Sequence, residues 1–192
     1  MHTKTIGLAF VVVFTFVLFA LGSRSFAQDF SADLVMQEKG RSEHITGKIF
    51  VKGNKMRQET LAGGINQITI IRPDKGVIWM VMPEGRMYME TPYQAGDKKF
   101  EKWSSEKEKK AKYLGKETVS GFSCKKYQIT EGGEKMHVWI SEKSPFPVKM
   151  DYRDGIMEYK NIKFGSVRNS LFEIPSGYQK MSFPMMPEGL RD

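Results

Sequence analysis

Apolar and polar residues alternate with a period of two along most of this chain. Phe30, Ala32, Leu34 and Met36 fall on one phase, and Ser31, Asp33 and Gln37 on the other. That is the pattern of a β-strand with one face buried. The rhythm returns at 45–52, 55–61, 65–71, 77–82 and 86–90, and again at 117–119, 125–129, 135–141, 148–153 and 156–164. A last short edge element is read at 171–175. The breaks carry turn residues: Gly53-Asn54, Gly63-Gly64, Pro73-Asp74-Lys75-Gly76, Pro83-Glu84-Gly85, Gly132-Gly133 and Asp154-Gly155. Tight turns between successive strands make antiparallel neighbours, so the pattern predicts about ten short strands in a meander that curls.

Two stretches depart from that rhythm. Residues 98–114 contain no Pro or Gly and are dense in Lys and Glu, which favour helix. Phe100, Trp103, Ala111 and Leu114 supply a thin apolar stripe, so one amphipathic helix is expected, docked by its aromatic end. The other departure is the uncharged run from Ile6 to Leu21, preceded by His2 and Lys4 and followed by Ser25 and Ala27. Sixteen residues fall short of the roughly 20 that span a bilayer. The small residues suit signal peptidase, which predicts a cleavable signal peptide, residues 1–27, with cleavage between Ala27 and Gln28. The expected location is the periplasm, as a soluble protein after cleavage. The expected organisation is a β domain at 28–180 and a Met/Pro-rich tail at 181–192.

Charge and cysteine usage narrow the reading. The chain has 30 basic and 22 acidic residues. Without Lys4 and Arg24 the exported part keeps a net charge of +6. Much of the excess lies between Lys98 and Lys112. An anionic membrane surface is the partner such a run would fit; a solvated face is the alternative. Nucleic acid is not expected outside the cytoplasm. The single cysteine, Cys124, cannot form an intramolecular disulfide, so the fold must rest on its core. It is read as a half-buried strand residue.

Candidate chemistry is concentrated in the hairpin at 77–90. If Glu84-Gly85 is its loop, Met82 faces Met87 and Met80 faces Met89. All four thioethers then share one face, while Trp79, Val81, Tyr88 and Glu90 share the other. Unbranched thioethers adapt to varied apolar shapes. The candidate ligand-binding set is therefore Met80, Met82, Met87 and Met89, with Phe100 and Trp103 over them. Plain core packing is the alternative, and soft-metal binding a third reading. No catalytic, metal or cofactor site is expected. His44 and His137 lie far apart, and no nucleophile elbow, metalloprotease helix or phosphate loop is present. The expectation is a protein that is not an enzyme.

The segment from Gly115 to Tyr127, Gly-Lys-Glu-Thr-Val-Ser-Gly-Phe-Ser-Cys-Lys-Lys-Tyr, resembles a stretch of small periplasmic proteins. These are related to the outer-membrane lipoprotein carrier LolA and its relatives LppX and RseB. Trp139-Ile140-Ser141 followed by Pro147 and Lys149, the stretch from Ile70 to Pro83, and the closing 171–178 segment agree with it. The match is nearest a domain-of-unknown-function branch. It covers nearly all of the chain after residue 27. The resemblance implies a mainly β (α+β) fold: a curled antiparallel, unclosed β-barrel with one helix against its concave face. It implies a non-enzymatic periplasmic protein holding a hydrophobic ligand, a lipid or a lipoprotein acyl chain. The alternative is a protein-interaction or sensor module of envelope signalling.

Overall fold

The computed structural model describes residues 28–40, 44–94, 103, 105–131, 133–143 and 146–181. The segment read as a signal peptide, Phe100 and all of the tail after Met181 lie outside them. Among the described residues, twelve strands form one sheet: β1 (Phe30–Glu38), β2 (His44–Lys52), β3 (Lys55–Ala62), β4 (Ile65–Arg72), β5 (Val77–Met82), β6 (Met87–Pro92), β7 (Lys112–Val119), β8 (Phe122–Glu131), β9 (Glu134–Ser141), β10 (Pro147–Tyr152), β11 (Gly155–Phe164) and β12 (Gln179–Lys180). Their order is β12-β6-β5-β4-β3-β2-β1-β11-β10-β9-β8-β7. Two antiparallel meanders, β1–β6 and β7–β11, are thus joined by the long antiparallel pairing of β1 with β11. The edges β12 and β7 do not pair, so the barrel is unclosed, as expected.

Local sequence explains the hairpins. Ala62 pairs with Ile65 across Gly63 and Gly64, both at positive φ. Val119 pairs with Phe122 across Ser120 and Gly121, also both at positive φ. Such primed turns match the twist of the strands they join. The 82–87 hairpin differs from its expected two-residue loop. Four residues turn the chain, with the Arg86 amide donating to the Pro83 carbonyl (3.1 Å) and Arg86 itself at φ 48°. The register is the same either way.

Two sequence expectations are corrected. The helix read at 98–114 is confined, among the described residues, to α1 (Ser105–Lys110). Lys112 and Tyr113 are instead strand, opposite Gln128 and Tyr127. A free edge of β8 offers a ladder of hydrogen bonds that outweighs the few tenths of a kcal/mol separating helical propensities. The element at 171–175 is not a strand. Asn169–Phe172 is a 3₁₀ turn, and the edge strand comes later, where β12 runs parallel to β6.

Both faces of the sheet are covered. Phe30, Leu34, Ile49, Val51, Ile71, Val138, Val148 and Met157 belong to the larger, inner core. Ile70, Trp79 and Val81 face outward and pack with Val167 and Phe172 of the C-terminal segment. Arg72 pins that segment. Its guanidinium grips Asp74 with two bonds of 2.8 Å and donates to the Phe172 carbonyl (2.8 Å) and Glu173 (2.6 Å). Lys75 also bonds Glu173 (2.8 Å).

This network is pH-sensitive. The Arg72 bond holds Asp74 below its ordinary value, and the bonds from Lys75 and then Arg72 do the same for Glu173. Folding therefore favours the ionised carboxylates. Their contribution is complete above an ordinary glutamate pKa of 4.5 and is lost as pH falls through the depressed folded values. Both carboxylates are partly exposed, which discounts the pairs. Arg72→Met is expected to cost about 2 kcal/mol, roughly 5 °C in Tm. The Tm drop between neutral and acid pH should be smaller in the variant than in the native chain. Equal drops would show that other groups dominate.

Gly47 marks a place where two strands approach closely. A Cβ there would lie 2.0 Å from the Glu59 carbonyl oxygen of β3. Backbone cannot step aside as a side chain can. Gly47→Ala is expected to cost about 3 kcal/mol or more in a denaturant melt; a loss below the ordinary surface-mutation scatter would contradict this packing.

Candidate functional site

The expected methionine array is present in the expected register. Met80 lies opposite Met89, and Met82 opposite Met87. Trp79 and Val81 point the other way, into the outer cluster. The methionines share the inner face with Ile71 and Ile78 on adjoining positions. Rows of side chains can be followed across that face. Val51, Met56, Ile71, Ile78 and Thr91 form one row. Ile49, Gln58, Thr69, Met80 and Met89 form the next. Gly47, Thr60 and Gln67 follow, with the Met82–Met87 pair beyond them.

Burial changes along these rows. Val51, Met56 and Ile71 are fully buried, whereas Ile78 and all four methionines are half-buried. The inner core is therefore filled beneath β1–β3 and at Ile71, and thins out from Thr69 of β4 toward the β5–β6 end. Thioethers suit such a margin, because they adapt to whatever apolar shape lies against them.

Trp103 belongs to the inner core. It is 5% exposed and sits against Tyr127 of β8, with ring centroids 4.9 Å apart. Topology explains why. The connection from β6 to β7 must pass from near one edge of the sheet to the other. Tyr93, Trp103 and Ala111, its described apolar members, all pack on the inner core. α1 docks beside β8. There Glu108 accepts hydrogen bonds from the Tyr127 hydroxyl and from Lys125 (3.3 Å). Burial, then the bond to Glu108, pushes the Tyr127 phenol up, while the Tyr127 bond holds Glu108 down.

Sequence reasoning did not single out Gln58. It is 5% exposed, and its Oε1 has no hydrogen-bond partner among the described residues. The signal was available: Gln58 occupies an apolar phase of β3, two residues from the buried Met56. Cys124 is more buried than expected. It has no exposed surface, and burial pushes its thiol up to about 11, which keeps it protonated and inert at neutral pH. On the outer face an open groove of about 400 Å³ lies among Ser31, Asp33, Lys48, Phe50, Asn161 and Lys163. Its lining mixes charged and polar side chains with Ala32, Phe50 and Ile162.

Residues 30–144, more than half of the chain, match the model of a family described as a domain of unknown function, DUF4412. The chain belongs to this family. No curated protein matches it in sequence. Among solved structures, this DUF4412 chain is similar to an uncharacterized conserved protein from Thermus thermophilus. The TM-score is 0.60 at 14% identity, over 80% of this chain and 90% of that one. It is also similar to MucB in complex with MucA(peri), with a TM-score of 0.51 at 12% identity, over 81% of this chain and 57% of MucB. The Pseudomonas aeruginosa MucA/MucB complex gives 0.51 at 13% identity, over 77% and 56%. The chain thus spans little more than half of MucB. At these identities the likeness concerns the fold, and the fold is LolA-like. No helix among the described residues is long and apolar enough to cross a membrane.

Proposed function

We propose that this protein is a non-enzymatic binding protein of the periplasm that holds a hydrophobic ligand against Met80, Met82, Met87 and Met89. One observation carries the reading: four half-buried thioethers on the inner face, at the end where the filled core thins out. The chain would be exported by residues 1–27, cleaved between Ala27 and Gln28, and work as a 28–180 domain with a 181–192 tail. Binding is non-covalent and driven by removal of apolar surface from water. An acyl chain burying roughly 300 Å² gains on the order of 7 kcal/mol before ordering costs, a strength suited to reversible holding. The basic run from Lys98 to Lys112 would bring the protein to an anionic membrane surface.

A second reading is favoured by MucB, whose structure with MucA(peri) shows this kind of fold beside a protein partner. On that reading the inner face or an edge strand recognises protein and no lipid enters. Native mass spectrometry of the protein, purified gently from its own envelope fraction, separates the two. A reproducible added mass that extracts as lipid is the expected result. A bare mass, together with no fluorescence gain from the neutral apolar probe phenylnaphthylamine, would defeat the ligand reading.

A further inference from the structure

The row Ile49, Gln58, Thr69, Met80, Met89 places two neighbouring polar side chains, Gln58 and Thr69, between apolar ones. Gln58 is 5% exposed, and its Oε1 accepts nothing from the described residues. Buried side-chain acceptors nearly always have a donor, because removal from water without a replacement bond is costly. Thr69 is the direct cross-strand neighbour of Gln58, and Met80 and Met89 follow on the same row. No side chain of this row, or of Gly47, Thr60, Gln67, Met82 and Met87 beside it, carries a charge.

We infer that Gln58 is the head-group acceptor of the site, and that the ligand is an uncharged aliphatic amphiphile with an O–H or N–H donor at one end. This rests on the binding reading above and adds the chemical class to it. The tail lies on Met80 and Met89, and the donor end reaches Gln58 Oε1. Three consequences follow from the chemistry. A carboxylate end is disfavoured, since it offers no proton and meets no cation on these rows. An ether end is also disfavoured, since it can only accept. A hydroxyl or amide end completes the missing bond.

The test uses displacement of bound phenylnaphthylamine by dodecanol, by dodecyl methyl ether and by dodecanoate at pH 8, on the native chain and on Gln58→Met. The expected native result is a preference for the alcohol over the ether of about tenfold, the worth of one buried hydrogen bond. In Gln58→Met that preference should vanish while the probe still binds. The ligand-free variant should also melt about 2–4 °C higher, because an unsatisfied buried acceptor is gone. Equal native binding of alcohol and ether overturns the inference and leaves the binding reading standing. A lower Tm in Gln58→Met, with the preference intact, shows a structural role and overturns it as well. Failure of the probe and all three compounds to bind sinks the binding reading, and this inference with it.

Discussion

Replacing Met82 and Met87 together by glutamate is expected to leave a folded protein that no longer takes up phenylnaphthylamine. The two side chains face each other near the hairpin end and are half-buried. Each new carboxylate can therefore keep contact with water while the site is empty. The cost to the fold is then that of two like charges directly opposite on a sheet, about 1 kcal/mol. Ligand entry changes the account. An apolar molecule lying on these positions strips water from two charges with no counterion, which costs several kcal/mol. Affinity should fall by about a hundredfold or more. The measurement is a fluorescence titration beside a thermal melt. A variant that melts like the native chain and still binds would remove the methionines from the site. A variant that fails to fold would show them to be core.

Trp103→Ala is expected to have the largest effect on stability. Trp103, between β6 and β7 in the chain, is buried and packs against Tyr127. Its loss removes a large apolar surface and leaves a cavity, about 3–5 kcal/mol for a buried aromatic, or roughly 10 °C in Tm. The connection from β6 to β7 would lose its central hold on the sheet. Exposure of the inner face should then raise binding of a hydrophobic dye to the native-state variant well below its Tm. Trp103→Phe keeps most of the apolar contact and should recover more than half of the loss. If Trp103→Ala melted within about 2 °C of the native chain, within the range of an ordinary surface change, Trp103 would not be a stabilising part of the core.

The two readings of function differ in what covers the inner face, and these predictions bear on that. A ligand-holding protein needs the methionine end open to an apolar molecule, while a protein-recognition module needs the same end free for a partner. Trp103 packs toward β8, away from β5 and β6 in the strand order.

Much of the architecture was written locally. Period-two alternation fixed which side chains of β1, β3, β5 and β6 go inward, because neighbouring strand residues cannot share a face. Glycines at positive φ, Gly63 and Gly64 for example, closed the hairpins and set their registers, and the turn at 83–86 let the pairing of Met80 with Met89 be read without coordinates. The resemblance supplied the unclosed barrel. The misreadings arose where tertiary competition overrode local rules. Residues 112–114 carry helix-favouring neighbours, yet pairing with β8 draws them into an edge strand. The 171–175 segment reads as a strand, but it forms a 3₁₀ turn and packs Phe172 on the outer face instead.

The sequence by itself determined the strands, the turns and the methionine face, because each depends on residues within a few positions of one another. Only the tertiary structure decided three further things. It joined the two meanders through β1 and β11, and in doing so fixed which edge the chain must leave and which it must reach. It laid Trp103 on Tyr127. It also left Gln58 buried with an unanswered acceptor among the described residues. Each depends on what a distant segment does to the space above a strand, and alternation along that strand carries no record of it.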